Sequence, residues 1–374
     1  MLKRAALFLA IFFLLSAGGC GTIPDRGPSP GPAAPQSGIM LDCARRYYSP
    51  EALKQYVDLL SGRSGGFLQL HLTDNENVGV ECVLLGQTAE TAVRSADGAY
   101  QNAQTGGRFL TRAQIADLLA YAKQRDVEIV PEIDGPAHMD GFFTLAALCG
   151  GQTYADGLQA DGADDGELDL SSAQALDFVK RLYTEYAALF QGCRYFHIGC
   201  DELFSAAEAQ ETAYIGAVSQ LLASQGFTVR MWNDLLTTSD IGRISPSIQI
   251  TYWSYDGDTE DDSERAARRA VRASVPELQA LGFQVLVYNS YYLYYVPSDE
   301  TNNAQDRAEM VNDLLENWDL AVWDGQTGAK LNSRSNILEA CVSVWGEDSG
   351  NCSAADIYTQ TKALYEAMLL KAGQ

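Results

Sequence analysis

An apolar run in this chain ends in two neighbouring carboxylates: Tyr195-Phe196-His197-Ile198-Gly199-Cys200-Asp201-Glu202. The run is typical of a β-strand. Successive strand residues point to opposite faces of a sheet, so the end of the strand can direct Asp201 and Glu202 into different surroundings. One carboxylate can then lie in an apolar pocket with a raised pKa and act as an acid, while the other stays ionised. This pattern is typical of an enzyme that breaks a C–O bond.

Seven further apolar runs of strand length occur in the chain, and helical patterns alternate with them. The eight strand candidates cover residues 39–44, 67–72, 127–133, 195–199, 229–233, 248–253, 284–289 and 340–345. The first helix has a clear start at Ser49-Pro50-Glu51, a capping residue followed by proline. Eight strands that alternate with helices predict a single parallel (β/α)8 TIM barrel. An open doubly wound sheet is the alternative, but no glycine-rich turn of the dinucleotide-binding type occurs.

The first 37 residues are predicted to lie outside this barrel, which leaves residues 38–374 for one domain. Lys3 and Arg4 precede an apolar run whose length suits a signal peptide and is too short to span a bilayer. Residues 16–20 resemble a bacterial lipobox. They predict a lipoprotein signal peptide over residues 1–20 with Cys20 as the lipidated residue; an ordinary secretory cleavage site is the alternative. Residues 21–37 carry five prolines and predict a semi-extended tether.

The net charge and the cysteine content limit which binding partners and which cellular location we expect. With 49 acidic and 26 basic residues the net charge is -23. This argues against nucleic acid and anionic lipid as partners, so we expect contact with the membrane only through the lipid anchor, on the extracellular face of a bacterial cell, or secretion. Seven cysteines follow Cys20, with no C-x-x-C spacing, and we expect mostly free thiols.

Polar and aromatic residues concentrate where the predicted strands end. In a parallel barrel the carboxyl ends of the strands form the active site. Indole rings can cover the apolar face of a sugar while carboxylates and guanidinium groups bind its hydroxyls. The strand ends carry three tryptophans, Trp232, Trp253 and Trp345. Each histidine of the chain lies near an acidic cluster at a strand end: His71, His138 and His197. The pattern predicts a sugar-binding pocket.

Several motifs at these strand ends resemble one known family. They are Gly38-Ile39-Met40-Leu41-Asp42-Cys43-Ala44-Arg45, Leu70-His71-Leu72-Thr73-Asp74-Asn75-Glu76-Asn77, Pro131-Glu132-Ile133-Asp134-Gly135-Pro136-Ala137-His138, the acid pair, Met231-Trp232-Asn233-Asp234, the run 251–258, the tyrosine-rich run 288–294 and Trp345-Gly346-Glu347. From residue 38 to the C-terminus the chain resembles glycoside hydrolase family 20, the β-N-acetylhexosaminidases. Within the family it looks most like the dispersin-type enzymes, which hydrolyse the biofilm polymer poly-N-acetylglucosamine.

The resemblance implies a reaction that needs no cofactor, no metal and no protein nucleophile. The substrate's own acetamido oxygen attacks the anomeric carbon. Glu202 protonates the leaving oxygen, and Asp201 binds the acetamido N–H. The implied polymer is β-1,6-linked, with chitin-type β-1,4 oligosaccharides or host glycans as the alternative. Two further alternatives are a non-catalytic surface carbohydrate-binding protein and a metal-dependent hydrolase that uses His71, His138 and the acids as ligands.

The resemblance also implies a set of substrate-binding residues. Tyr292 or Tyr294 orients the acetamido oxygen. Trp232, Trp253 and Trp345 enclose the acetamido group and the sugar face. The remaining residues hold the terminal sugar or the acid pair: Arg45, Asp74, His138 and Glu347. His138, together with Asp134, is expected to hydrogen-bond toward Glu202, whereas His197 is expected to have a structural role.

The chain departs from the family pattern near the acid pair. Cys200 stands where the family usually has a second glycine, and Ser205 where the dispersin-type enzymes carry an aromatic residue on the leaving-sugar side. Asp165 and Asp261 fall where those enzymes place acids that can meet glucosamine ammonium groups. Solvated acidic loops are the alternative interpretation of both positions.

Overall fold

Eight parallel strands close into a barrel in the computed structural model, which describes residues 36–163, 166–298 and 303–373. Each strand pairs with the next, and the last pairs with the first. The strands are β1 (Gly38–Asp42), β2 (Phe67–His71), β3 (Glu128–Glu132), β4 (Tyr195–His197), β5 (Thr228–Trp232), β6 (Gln249–Tyr252), β7 (Gln284–Val287) and β8 (Ile337–Val344). The predicted (β/α)8 barrel is confirmed, with strand limits close to those expected from the apolar runs.

Helices follow the strands and cover the outside of the barrel. In chain order they are α1 (Pro50–Leu60), α2 (Arg112–Lys123), α3 (Asp140–Gly150), α4 (Gln152–Asp156), α5 (Ala173–Leu189), α6 (Glu208–Ser224), α7 (Asp262–Val271), α8 (Val275–Ala280), α9 (Ser290–Leu293), α10 (Ala304–Asn317) and α11 (Ala354–Ala372). The predicted cap of α1 is present, because the Ser49 side chain accepts a hydrogen bond from the Ala52 backbone N–H. No helix in the described ranges has the length and apolar character needed to cross a membrane.

Short strands in the loops were not predicted from the sequence. A three-stranded antiparallel sheet lies between β2 and α2 (Val93–Arg94, Tyr100–Gln101 and Arg108–Phe109). Tyr294–Tyr295 pairs in parallel with the end of β8, at Ser343 and Val344. This last pairing extends the barrel wall on the side where the strands end.

The barrel interior contains buried polar side chains as well as apolar ones. Glu132 accepts hydrogen bonds from Gln69 Nε2 at 2.8 Å and from Trp232 Nε1 at 2.7 Å. His197 Nδ1 lies 3.1 Å from the same carboxylate. Burial would raise the pKa of Glu132, but the neighbouring histidines hold it well below its usual value. These contacts hold Glu132, Trp232 and His197 in fixed positions inside the barrel.

Gln36, just before β1, hydrogen-bonds two other strands of the barrel. The Gln36 side-chain oxygen accepts a hydrogen bond from Arg230 Nη2, and the Gln36 backbone N–H donates to the Leu338 carbonyl. The predicted signal peptide, Cys20 and most of the predicted tether lie outside the described residues. The described cysteines are all free thiols, in agreement with the expectation from the sequence.

Candidate active site

A cavity of about 220 Å³ lies where the barrel strands end. Its walls bring together all but three of the site residues predicted from the sequence. The lining residues are Arg45, His71, Asp74, His138, Asp201, Glu202, Trp232, Trp253, Tyr294, Val296, Trp345 and Glu347. Residues separated by three hundred positions in the chain meet here because the carboxyl ends of parallel barrel strands converge on one face.

A tight turn after β4 brings the acid pair to the cavity. Gly199, Cys200 and Glu202 have φ values of 70°, 74° and 47°. These positive φ values lie in the left-handed region, which residues other than glycine rarely adopt. Gly199 is required here, since a Cβ at this position would lie 1.6 Å from Asp134 Oδ1. The backbone strain at Cys200 and Glu202 is typical of sites where geometry serves function.

His138 connects the two carboxylates. Its Nε2 lies 3.5 Å from Glu202 Oε2 and 3.8 Å from Asp201 Oδ2. Burial would lower the pKa of His138, but its contacts with the two carboxylates raise it to about 11. The hydrogen bond with His138 in turn lowers the pKa of Glu202. The expected proximity of His138 to Glu202 is therefore present.

A proton donor is expected to have a raised pKa, but in this acid pair the raised pKa belongs to Asp201 and not to Glu202, the expected donor. Burial, reinforced by the nearby Asp134, raises the pKa of Asp201 well above its usual value, whereas that of Glu202 is lowered. Asp201 is the more buried of the two, with 15% of its side chain exposed against 40% for Glu202, and the hydrogen bond with His138 belongs to Glu202. With its pKa of about 11, His138 is protonated at neutral pH and lies beside Glu202.

Asp134 is the least satisfied carboxylate of the site. It is buried, and neither oxygen has a hydrogen-bond partner among the described residues. Burial raises its pKa from 3.8 to about 7. A folded-state pKa above the unfolded value means that the folded state holds the proton more tightly. The resulting stabilisation is complete below pH 3.8 and is lost as pH rises to about 7.

We expect Asp134→Asn to increase thermal stability more at pH 8 than at pH 5, because asparagine resembles the protonated acid and carries no charge to bury. The measurement is the melting temperature of both proteins across this range. Asp97→Asn, a change at an exposed carboxylate in the loop sheet, is the matched control and should show no such trend. An equal effect of Asp134→Asn at both pH values would contradict the assignment.

Arg45 lies at the end of β1 between three carboxylates. Its guanidinium lies 3.1 Å from Asp42 Oδ2, 2.7 Å from Asp74 Oδ2 and 3.1 Å from Glu76 Oε2. Asp42 Oδ2 also accepts a hydrogen bond from the Gly346 backbone N–H at 3.0 Å. Asp42 thereby fixes the end of β1 against the end of β8, next to Glu347. Together these contacts provide charged groups for the hydroxyls of a sugar.

Aromatic rings also line the cavity. The Trp253 and Tyr294 rings are parallel within 7°, with centroids 6.1 Å apart. The Tyr294 and Trp345 centroids are 5.6 Å apart at 62°. The Trp253 indole N–H donates to Asp234 Oδ2 at 2.6 Å. These rings offer flat apolar surfaces beside the carboxylates, as a sugar-binding site requires.

Of the two candidate tyrosines, the structure places Tyr294 in the cavity and Tyr292 elsewhere. Tyr292 belongs to the short helix α9 and packs, partly buried, against the larger of the two clusters of buried apolar side chains. Tyr294 begins the two-residue strand beside β8. The change from helix to strand between them turns Tyr294 toward the cavity.

The structure bears differently on the two acidic loop residues, Asp165 and Asp261, that were predicted to contact the substrate. Asp261 is not among the cavity residues; its carboxylate caps α7 by accepting hydrogen bonds from the Ser263 and Glu264 backbone N–H groups. Its contact with a substrate ammonium group stays a prediction. Asp165 lies outside the described residues.

His197 is fully buried below the cavity, where its Nε2 lies 2.8 Å from Thr251 Oγ1, in agreement with its expected structural role. Two cavity residues were not predicted as substrate-binding residues. His71 hydrogen-bonds Asp74 at 2.8 Å, and its position at a predicted strand end was a usable signal. Val296 carries no chemical signal of its own.

Two groups of side chains in the described residues are close enough to hold a metal ion. They are His71, Asp74 and Asp134, and Asp134, His138 and Asp201, with ligand atoms within 4.8 Å of one another in each group. Asp74 Oδ2 already contacts Arg45 at 2.7 Å and His71 at 2.8 Å. A cationic guanidinium at that oxygen opposes a metal in the first group.

Comparison with known proteins gives a family match and related structures. The model for glycosyl hydrolase family 20, catalytic domain, matches residues 36–368. The chain is 25% identical to a beta-N-acetylhexosaminidase of Cellulomonas fimi over 226 residues, which is 59% of this chain and 43% of that protein. It is 24% identical to beta-hexosaminidase subunit A1 of Dictyostelium discoideum over 341 residues, 80% of this chain and 59% of that one. The chain thus spans less than two thirds of these relatives.

Among solved structures, the chain is similar to the crystal structure of Dispersin B. The two share 43% identity with a TM-score of 0.87, over 91% of this chain and 100% of that one. The predicted family, the predicted class of enzyme and the predicted barrel are therefore confirmed. A family model that matches most of the chain, on a barrel whose strand ends carry the family's acid pair, shows that this protein belongs to glycosyl hydrolase family 20.

Proposed function

We propose that this protein removes N-acetylglucosamine from the end of β-linked poly-N-acetylglucosamine. The observation that carries the proposal is the acid pair, which lies next to His138 and lines one cavity together with three tryptophans. The volume of about 220 Å³ is below the range of about 300–1,000 Å³ typical of drug-sized ligands. It suits a single terminal sugar unit better than the middle of a long polymer, which favours exo-action.

The proposed reaction proceeds with assistance from the substrate. The acetamido carbonyl oxygen bonds to the anomeric carbon as the bond from that carbon to the leaving oxygen breaks. Glu202 delivers a proton to the leaving oxygen, and the protonated His138, 3.5 Å away, supplies that proton to Glu202. The acetamido N–H donates to Asp201, whose Oδ1 is buried and has no hydrogen-bond partner among the described residues. Glu202 then takes a proton from the water that opens the oxazolinium ring, and the product retains its configuration.

We further propose β-1,6-linked poly-N-acetylglucosamine as the polymer. The support is the resemblance of the motifs to the dispersin-type enzymes, together with 43% identity to Dispersin B. The test is product analysis on β-1,6 and β-1,4 N-acetylglucosamine oligomers. We expect release of the monosaccharide, faster from the β-1,6 series. Faster cleavage of the β-1,4 series would make chitin-type oligosaccharides the substrate, and binding of both series without turnover would indicate a carbohydrate-binding protein.

We expect hydrolysis of an aryl N-acetyl-β-glucosaminide to be unchanged after prolonged treatment with a strong chelator. The proposed steps use two carboxylates and the substrate's own amide, and none of them needs a Lewis acid. The measurement is the initial rate before and after chelation, and again after Zn²⁺ or Mg²⁺ is added back. Loss of activity that metal restores would instead support a metal-dependent hydrolase built on His138 and Asp134.

We propose that the protein is held on the extracellular face of a bacterial membrane by a lipid on Cys20, a residue outside the described part of the chain. The lipobox-like residues 16–20 support this. We expect the wild-type protein to partition into the detergent phase and Cys20→Ser into the aqueous phase. The same aqueous partition for both proteins would favour secretion.

A further inference from the structure

Trp253 lines the cavity, and its indole N–H bonds a buried ion pair whose two residues do not line the cavity. Asp234, just after β5, is buried and uses both carboxylate oxygens. Its Oδ2 accepts the Trp253 indole N–H at 2.6 Å, and its Oδ1 accepts Arg272 Nη2 at 2.6 Å. One carboxylate therefore connects the cavity wall to an arginine at the end of α7.

The main chain of Trp253 is fixed separately from its ring. Its backbone N–H donates to Asn233 Oδ1 at 2.9 Å, and its carbonyl accepts from the Ser290 backbone N–H at 3.0 Å. The contacts that orient the indole are the hydrogen bond to Asp234 and the parallel arrangement with Tyr294. Loss of the hydrogen bond would free the ring to rotate while the backbone stays in place.

Arg272 keeps Asp234 able to accept this hydrogen bond. The Arg272 side chain is 8% exposed and that of Asp234 is 2% exposed, so the pair is shielded from water. Burial raises the pKa of Asp234, and the Arg272 guanidinium opposes that rise. Without Arg272, a buried carboxylate would be left uncompensated beside Glu202 and Asp201, and it would have to take up a proton or move toward water.

We propose that Arg272 is a positioning residue of the active site, which acts through Asp234 to set the plane of the Trp253 ring against the bound sugar. Arg269, three residues earlier on α7, has a different role. It bonds Asp256 and Asp324 at 2.8–2.9 Å. Arg269 is thus a matched control on the same helix. The inference rests on the proposed role of Trp253 as a wall of the sugar site.

The test is a double-mutant cycle between positions 272 and 253. The proteins are wild type, Arg272→Met, Trp253→Phe and the double variant, with kcat and KM measured on an aryl N-acetyl-β-glucosaminide. Phenylalanine keeps an aromatic ring but has no N–H for Asp234. We expect Arg272→Met to lower kcat/KM about tenfold in the wild-type background, mainly through KM, and less than about twofold in the Trp253→Phe background.

A conservative variant and the control sharpen this test. Arg272→Lys should retain kcat/KM within about threefold of wild type, because only one guanidinium nitrogen, Nη2, hydrogen-bonds Asp234 and Nη1 has no partner among the described residues. Arg269→Met should have the same effect in both backgrounds, whatever it does to the melting temperature. If Arg272→Met does not fold, Asp234→Asn replaces it, because asparagine has an NH2 group in place of one of the two carboxylate oxygens that accept from Trp253 and Arg272.

An equal loss from Arg272→Met in both backgrounds would overturn the inference, since a purely structural role predicts additive effects. Low activity of a well-folded Arg272→Lys would overturn it as well. Failure of the proposed function is a separate result, because it would appear as a wild-type protein that does not release the chromophore. Failure of the inference appears only as additivity among active variants.

Discussion

Glu202→Gln should lower kcat on N-acetylglucosamine oligomers by about 10²–10⁴-fold, the usual contribution of a positioned acid–base group. Glutamine keeps the shape of the side chain and cannot deliver a proton. The loss should be smaller on an aryl glycoside, because a stabilised phenolate leaves with little need for protonation. The measurement is kcat on both substrates, with melting temperatures to show that the variant folds.

The matched control for this variant is Glu208→Gln. Glu208 is the first residue of α6, a few positions beyond Glu202, and its carboxylate faces the exposed Ser239 hydroxyl. Its replacement should leave both rates unchanged. Equal losses from Glu202→Gln on oligomer and aryl substrates would show that Glu202 is not the acid for the leaving group.

Asp201→Asn should lower kcat on the N-acetylated substrate by about 10²–10³-fold, as expected when a buried electrostatic partner of the transition state is lost. Asparagine can still accept the acetamido N–H but brings no negative charge to the developing oxazolinium. The few hydrolytic turnovers of the corresponding glucoside, which has no acetamido group, should change little. If the glucoside is cleaved as well as the N-acetylated substrate, the substrate-assisted mechanism is wrong.

The same variant tests the raised pKa of Asp201. Burial and the nearby Asp134 place that pKa well above the usual value, so kcat/KM of the wild type should fall on acidification well above pH 3.8. Because Asp134 and Asp201 are close, this acid limb belongs to the pair. In Asp201→Asn the limb should move to a different pH. An identical limb in both proteins would assign it to another group.

The barrel could be predicted because each of its strands is an apolar run, and the site could be predicted because parallel barrel strands end on one face. Arg45, Asp74 and Glu347 each follow a predicted strand by one or two residues, so this rule accounts for their meeting in one cavity. The roles of the side chains came from the family resemblance. Those roles stay proposals until the variants are measured.

Other features depend on contacts that have no sequence pattern. Tyr294 faces the cavity because α9 ends just before it, and two neighbouring tyrosines give no hint of that change. The direction of the pKa shifts in the acid pair depends on how deeply each carboxylate is buried and on which of them hydrogen-bonds His138. Asp261, by contrast, was readable as a cap, because Ser263 and Glu264 follow it in the order favoured at helix starts.

The contact of Gln36 with Arg230 has a consequence for the stability of the barrel. The Arg230 side chain is buried inside the barrel, where its Nη2 donates to Gln36 Oε1 and its Nε donates to Gln249 Oε1 at 3.0 Å. Loss of the Gln36 amide would leave this buried guanidinium with one acceptor fewer, which destabilises the folded state. The residues just before β1 therefore serve the stability of the barrel, while the cavity residues serve its chemistry.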